Sequence, residues 1–203
     1  MSQALISRPL ISLALPQSGA ARFLSQAAIV IAGSMALVLS AKTKVMLGPV
    51  DMSLQTMVVM LLAATLGTRL GLATVLLYLA QGAMGYPVFQ STPEKGIGLA
   101  YMAGTTGGYL AGFVMMTAIV GFAADRGWDR NAFKLFGAML FASAVLLVMG
   151  ATWLGVLIGF DNAWQFGVAP FIVPDLVKAA LAACLIPASW SVLKALKSKI
   201  AKG

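Results

Sequence analysis

Histidine is absent from this chain of 203 residues, and cysteine occurs once, as Cys184. Without an imidazole there is no histidine metal ligand and no base for a Ser-His-Asp or Cys-His catalytic arrangement. A single cysteine cannot form a disulfide within the chain, so the fold does not depend on an oxidising compartment. We therefore expect neither a metal nor a cofactor.

The chain also lacks the G-x-x-x-x-G-K-[ST] pattern of a phosphate-binding loop. That loop holds the phosphates of ATP with backbone N–H groups and a lysine. Any ATP-driven work by this protein would therefore require partner subunits.

Charged residues are scarce, since they make up 10% of the chain whereas hydrophobic residues make up 60%. An ordinary soluble domain is about one-quarter charged. The composition predicts an all-α integral membrane protein whose solvent is the lipid bilayer. In that setting the net charge of +8 is evidence about orientation and does not indicate a nucleic-acid partner.

Six apolar stretches are candidates to cross the membrane, which takes about 20 helical residues. The predicted spans are residues 24–41, 52–67, 70–85, 105–124, 134–156 and 172–194. The second and third are short, and a tight connection around Gly67 and Arg69 joins them.

The distribution of basic residues predicts that both termini are cytoplasmic, because cytoplasmic segments are enriched in lysine and arginine. With an even number of spans, the inner segments carry Arg8, Arg22, Arg69, Arg126, Arg130, Lys134, Lys194, Lys197, Lys199 and Lys202. The outer segments carry only Lys42, Lys44 and Lys95.

The domain organisation predicted from these features is a single membrane domain over residues 1–203. Residues 1–23 form a cytoplasmic or interfacial lead, 24–196 the six-helix unit, and 197–203 a basic tail. The apolar patch in the lead is short and is followed by polar residues, which favours an uncleaved segment over a signal peptide.

Asp175 and Lys178 stand one helical turn apart in the sixth span, where a charge costs about 2.5–3.5 kcal/mol on insertion scales. Pro174 suits a first helical turn, and Asp175 complements the positive end of the helix dipole. Lys178 opposes that dipole, so it requires pairing with Asp175, a bound anion, or both. The pair therefore predicts an outward-facing polar site for a ligand with amide N–H donors and an acidic group.

Small residues recur every four positions in the first span, at Ala28, Ala32 and Ala36. Such a stripe allows another helix to approach closely, either from the same chain or from a partner. A second series, Gly104, Gly108 and Gly112, opens the fourth span, with Gly107 beside it. This series permits either close packing or contact of the backbone with a ligand.

An outer loop after the third span contains Tyr86 and Phe89 among glycine and proline residues. Aromatic residues near a membrane surface are commonly part of an interfacial belt. Here the loop is also compatible with a lid over a cavity.

Taken together, several stretches resemble the BioY family, the biotin-binding S components of energy-coupling factor (ECF) transporters. The matching stretches are MLGPV (46–50), SLQT (53–56), LYL (77–79), GYPVF (85–89), GTTGGYLAGF (104–113) and PFIVPDLVKAA (170–180). The likeness runs in the same order from Ser25 to Leu196.

The resemblance implies the ECF S-component fold with six helices, in a prokaryotic cytoplasmic membrane, and high-affinity capture of biotin from outside. It implies that the alanine stripe at Ala28, Ala32 and Ala36 meets a membrane-embedded T subunit, which two ABC-type ATPases drive; a homo-oligomer is also open. By the same resemblance, the expected ligand contacts are Asp175, Lys178, Gln55, Tyr86, Phe89, Gly107, Gly108 and Tyr109.

Three alternatives remain at the level of the sequence. The chain could bind a different small vitamin as an S component. It could be an intramembrane enzyme that uses Asp175 with Lys178 as a base, although no nucleophile motif or metal cluster accompanies the pair. It could also be a purely structural helical subunit, in which the pair serves stability alone.

Overall fold

The structure, a computed structural model, describes residues 10–13, 19–46 and 51–200. Most of the predicted lead, the loop residues 47–50 and the last three residues of the basic tail lie outside the described residues. The helices are α1 Gly19–Lys42, α2 Gln55–Ala83, α3 Gly98–Met102, α4 Gly107–Asp125, α5 Ala132–Ile158, α6 Phe160–Asn162 and α7 Ile172–Ile200.

Short elements connect these helices. Strands β1 Lys44–Met46 and β2 Asp51–Ser53 form an antiparallel hairpin between α1 and α2. Single turns of 3-10 helix occupy Leu10–Leu13, Trp128–Arg130 and Ala169–Phe171, and a π-helical segment covers Ala163–Val168. The prediction of an all-α chain therefore missed one hairpin, whose strands of three residues each are too short to show an alternating pattern.

Helix α2 reverses direction at Gly67, so it consists of two antiparallel halves. Gly67 has φ 75° and ψ −177°, a conformation that glycine adopts without steric cost. A Cβ on Gly71 would lie 3.5 Å from Cα of Ala63, a contact that a straight helix does not allow between residues eight positions apart. This reversal lies at the tight connection predicted between the second and third spans.

Helix α4 supports the reversal. Oδ2 of Asp125 accepts a hydrogen bond from the backbone N–H of Thr68 at 3.1 Å, which satisfies a donor at the start of the second half of α2. A Cβ on Gly121 would lie 2.7 Å from Cα of Thr68, so the absence of a side chain lets the two backbones touch. Small residues are the usual means of close helix packing in lipid.

Four of the long helices pack side by side in a ring. α2 packs against α4, α4 against α5, α5 against α7, and α7 returns to α2. α1 lies outside this ring and packs against α2. Five helical segments of the described chain are long and apolar enough to cross a membrane: Gly19–Lys42, Gln55–Ala83, Gly107–Asp125, Ala132–Ile158 and Phe160–Ser191.

Candidate functional site

The ring of helices encloses a cavity of about 410 Å³. Small-molecule sites typically occupy about 300–1,000 Å³ and place a few polar groups in a largely apolar lining. The lining residues are Ser53, Gln55, Thr56, Tyr78, Phe89, Gln90, Ser91, Lys95, Tyr101, Thr105, Thr106, Tyr109, Leu110, Phe113, Leu146, Leu147, Leu154, Ile158, Phe166, Gly167, Phe171, Asp175 and Lys178.

Three of these side chains form a polar triangle between α2 and α7. Nζ of Lys178 lies 3.2 Å from Oδ1 of Asp175, and it also donates to Oγ1 of Thr56 at 3.1 Å. The hydroxyl of Thr56 in turn donates to Oδ1 of Asp175 at 3.0 Å. The first turn of α7 is thus tied to the first turn of α2, and each member of the triangle has two partners.

The triangle retains unused capacity for hydrogen bonding. Asp175 is 2% exposed, and its Oδ2 accepts no hydrogen bond from the described part of the chain. Lys178, which is 8% exposed, has three N–H donors and uses two of them in the triangle. Because a buried carboxylate oxygen without a donor is costly, a ligand N–H is the natural complement of Oδ2.

The charges of Asp175 and Lys178 compensate each other, so this end of the cavity is polar but carries no net charge. An ion pair buried this deeply is retained only when hydrogen bonds offset the loss of hydration. The arrangement suits a neutral polar group that offers both donors and an acceptor, more than it suits an isolated anion.

A second polar chain connects α2 to the loop that follows it. Nε2 of Gln55 donates to the hydroxyl oxygen of Tyr78 at 2.7 Å, and that hydroxyl donates to the carbonyl of Val88 at 3.3 Å. Gln55 is 4% exposed and Tyr78 is fully buried. The chain holds both halves of α2 and the loop in a fixed relation beside the triangle.

Aromatic rings form one wall of the cavity. Phe89 stacks on Tyr101 with centroids 4.9 Å apart and meets Tyr78 edge-on at 5.4 Å. The ring of Phe89 lies against Gly82 and fills the space that a side chain at position 82 would need. The hydroxyl of Tyr101 donates to the carbonyl of Gln90 at 2.8 Å, and burial raises the pKa of Tyr101, which therefore remains a neutral donor.

Two hydrogen bonds join the remaining elements around the cavity. Nε1 of Trp153 donates to the carbonyl of Gly104 at 2.8 Å, which anchors the turn that supplies Thr105 and Thr106 to the lining. The hydroxyl of Tyr109 donates to the carbonyl of Gly167 at 2.7 Å. Gly167 belongs to the π-helical segment, a type of irregularity that occurs frequently at functional sites.

Of the eight residues predicted to contact a ligand, five line the cavity: Gln55, Phe89, Tyr109, Asp175 and Lys178. The other three do not belong to the lining. The ligand-binding role of all eight residues stays a prediction.

The structure shows where these three residues lie. Tyr86 is 60% exposed, whereas Phe89, three residues later in the same loop, is 1% exposed. Gly107 and Gly108 lie where a Cβ would collide with a neighbouring segment. A Cβ on Gly107 would collide with the carbonyl oxygen of Met102, and one on Gly108 would lie 2.5 Å from Cβ of Trp153 on α5. These two glycines allow close packing.

The alanine stripe of α1 is not the face that packs against α2. Ala28 and Ala32 are exposed and Ala36 is half-buried. The packing face carries Gly33 and Ser34, and Oγ of Ser34 donates to Oε1 of Gln81 at 2.6 Å. The stripe is therefore largely available to another molecule.

Thr56 is the site residue that the sequence did not single out. It follows Gln55 at the start of α2, and a lone threonine next to an apolar stretch is common. Its role follows from contact with α7, 119 and 122 positions further along the chain. Tyr78 and Tyr101 were missed as well, because their contacts with Gln55, Phe89 and Gln90 depend on the reversal of α2 and on the path of the loop that follows it.

No group of three or more cysteine, aspartate or glutamate side chains in residues 10–13, 19–46 and 51–200 is placed to hold a metal ion. The polar atoms of the cavity suit hydrogen bonding to an organic ligand.

Membrane-length helices packed around a cavity with a buried polar end define an integral membrane protein with an internal small-molecule site. The sequence supports a more specific assignment. The chain belongs to the BioY family, whose profile matches residues 12–195.

Two relatives illustrate the similarity. The probable biotin transporter BioY of Pyrococcus horikoshii is 40% identical over 142 residues, which cover 70% of this chain and 82% of the relative. The biotin transporter BioY of Thermotoga maritima is 33% identical over 151 residues, which cover 73% and 86% of the two chains.

A solved structure has a similar fold. The crystal structure of the S-component for biotin from an ECF-type ABC transporter superposes with a TM-score of 0.70 and covers 86% of this chain and 95% of that chain. Its sequence is 21% identical, so the likeness concerns the fold.

Proposed function

We propose that this protein binds biotin in the cavity and carries it into the cell as the S component of an ECF-type transporter in a prokaryotic cytoplasmic membrane. The observation that carries the proposal is the buried triangle of Thr56, Asp175 and Lys178, which leaves one carboxylate oxygen and one ammonium N–H to receive a ligand. Membership of the BioY family supports biotin as that ligand.

The ureido ring of biotin matches the triangle. A cyclic urea is neutral and presents two N–H donors beside a carbonyl acceptor, which complements Oδ2 of Asp175 and the third N–H of Lys178. The bicyclic body would lie against the wall of Phe89 and Tyr101.

The carboxylate of biotin would then face Lys95. Lys95 is exposed and is the second cationic residue in the lining. Placing the anion there avoids burying it beside Asp175, where like charges would repel.

The protein would bind its ligand without chemical change, so it is a transport protein and not an enzyme. The five candidate segments become six spans if the two halves of α2 are counted separately, which is the count that we propose. With six spans and ten basic residues on one side against three on the other, both termini would be cytoplasmic. Residues 24–196 would then act as one substrate-binding unit.

Transport would require partners, because the chain contains no phosphate-binding loop of its own. We propose a membrane-embedded T subunit that contacts α1 at Ala28, Ala32 and Ala36, together with two ABC-type ATPases. The exposure of Ala28 and Ala32 supports this contact, because they are not occupied by packing within the chain.

Equilibrium binding to the purified full-length protein in lipid nanodiscs tests the ligand. We expect saturable binding of labelled biotin that unlabelled biotin displaces and that riboflavin and thiamine do not. An absence of saturable biotin binding would reject the proposal, and displacement by another vitamin would assign the site to that vitamin.

A further inference from the structure

The end of α1 is bonded to the loop that follows α2. Lys42, the last residue of α1, donates from Nζ to the carbonyl oxygen of Thr92 at 2.7 Å and to Oγ1 of Thr92 at 2.9 Å. The two residues are 50 positions apart. Thr92 is 5% exposed, so the ammonium group of Lys42 reaches an enclosed partner although its own side chain is exposed.

Thr92 connects Lys42 to the wall of the cavity. Its hydroxyl donates to the carbonyl of Phe89 at 2.7 Å, and its backbone N–H donates to the same oxygen at 3.4 Å. The turn from Phe89 to Thr92 is thereby closed on itself. Phe89, Gln90 and Ser91 all line the cavity, so the turn that Lys42 holds is part of the cavity wall.

Lys42 also has a simpler role, since a cation in the last turn of a helix complements the helix dipole. That role requires only that the ammonium lie near the final carbonyls of α1. It does not account for two short hydrogen bonds to one residue of another segment. Charge-assisted bonds of this kind are among the stronger hydrogen bonds in proteins.

We propose that Lys42 is a positioning residue for ligand retention, because it holds the turn Phe89–Thr92 against the cavity from the end of α1. It acts through Thr92 and does not itself line the cavity. Since α1 also carries the exposed alanine stripe, a displacement of α1 would withdraw the ammonium from Thr92 and loosen the wall. This inference rests on the proposed function for the identity of the ligand, biotin.

The first measurement is the rate at which labelled biotin dissociates from the full-length protein in nanodiscs. For Lys42→Met we expect about tenfold faster dissociation with an association rate close to that of the wild type, because a loosened cavity wall releases the ligand more readily and most affinity differences between related complexes lie in the dissociation rate. Lys42→Arg should restore most of the retention, and Thr92→Val, which keeps the carbonyl but removes the hydroxyl, should give an intermediate rate.

The control is Lys134→Met, which removes the same charge from an exposed residue at the start of α5. It should dissociate biotin at the rate of the wild type. If Lys42→Met also dissociates biotin at that rate, the proposal is wrong. If Lys42 only complemented the helix dipole, Lys42→Met would lower the unfolding temperature and leave the dissociation rate unchanged. That result would also reject the positioning role.

The second measurement needs no ligand. Amide hydrogen exchange of the ligand-free protein should accelerate across residues 84–97 in Lys42→Met, and exchange across residues 172–178 should stay unchanged. If the wild type failed to bind biotin while this local acceleration appeared, the ligand assignment would fail and the positioning contact would stand. Unchanged exchange in residues 84–97 would reject the contact itself.

Discussion

Gln55 and Tyr78 share a hydrogen bond of 2.7 Å although both belong to α2 and stand 23 positions apart. In a straight helix they would be separated by about 35 Å, given a rise of 1.5 Å per residue. The bond exists because α2 reverses at Gly67, and the reversal brings the start of the helix beside its end. The cavity depends on this fold-back, since both residues line it.

The first prediction concerns this reversal. Gly67→Ala places a Cβ on a residue with φ 75° and ψ −177°, a region of backbone conformation that is essentially restricted to glycine, which costs about 1–3 kcal/mol. We expect a lower unfolding temperature in detergent, measured by thermal unfolding of the purified protein.

Gly137→Ala is the matched control for that substitution. Gly137 lies inside α5, and a Cβ there meets nothing within 4 Å. Alanine is favoured over glycine inside a helix by about 0.5–1 kcal/mol, so this variant should be as stable as the wild type or more stable. Equal losses in both variants would contradict the assigned role of Gly67.

The second prediction concerns the ion pair of α7. Lys178→Met removes the N–H that remains for the ligand, and it leaves the carboxylate of Asp175 buried without its cation. We expect biotin affinity to fall by about tenfold or more, because a hydrogen bond to a charged group is worth about 1.5–3 kcal/mol and each 1.4 kcal/mol is a factor of ten. Isothermal titration calorimetry, or equilibrium binding of radiolabelled biotin, measures the affinity.

Asp175→Asn tests the same end of the cavity with a side chain of similar size, and it should also weaken binding strongly. If either variant folds and binds biotin with wild-type affinity, the pair is not part of the ligand site. A purely structural role predicts a loss of stability with ligand affinity retained in the folded fraction.

The third prediction tests whether Thr56 contributes through its hydroxyl group or through the volume of its side chain. Thr56→Val removes the donor to Asp175 and the acceptor of Lys178 while conserving volume, so the two charged groups are no longer held in place for the ligand. We expect biotin affinity to fall by about tenfold, which corresponds to about 1.4 kcal/mol. Thr56→Ser keeps the hydroxyl and should remain within a few-fold of the wild type; equal behaviour of the two variants would contradict the triangle.

The fourth prediction concerns Asp129, which precedes α5 and is fully buried. Its Oδ2 accepts a hydrogen bond of 2.7 Å from Nε1 of Trp190 on α7. Burial raises the pKa of Asp129 above its ordinary value of 3.8, although the bond from Trp190 and the charge of Arg130 act in the opposite direction.

A raised pKa means that the folded state favours the protonated form. The resulting stabilisation is fully present below pH 3.8 and is lost as the pH rises through the pKa of the folded state. Asp129→Asn stays neutral and keeps an acceptor for Trp190. The variant should therefore gain stability relative to the wild type as the pH rises from 4 to 7 in thermal unfolding. A stability difference between Asp129→Asn and the wild type that stays constant from pH 4 to pH 7 would contradict this prediction.

Several elements were predictable because they depend on local properties of the chain. Apolar stretches free of charge marked the membrane helices, and the predicted start of the last span at residue 172 coincides with the start of α7. The glycine at 67 marked a tight connection because few other residues adopt its backbone conformation. Asp175 and Lys178 stood out because charges in an apolar segment are costly.

Other features required the tertiary structure. Tyr86 and Phe89 are equivalent candidates in the sequence, but only Phe89 turns inward, where the absence of a side chain at Gly82 leaves room for its ring. The contact between Lys42 and Thr92 has no signature in either segment.

The sequence by itself determined the class of protein, because apolar segments of about 20 residues are long enough to cross the bilayer as helices, in which every backbone group forms its hydrogen bond within the segment. It also determined that α7 carries a polar pair. Only the tertiary structure decided that Thr56 completes this pair, and which candidate residues line a common cavity. Those relations join segments more than a hundred positions apart, and they are set by packing between helices that no local pattern records.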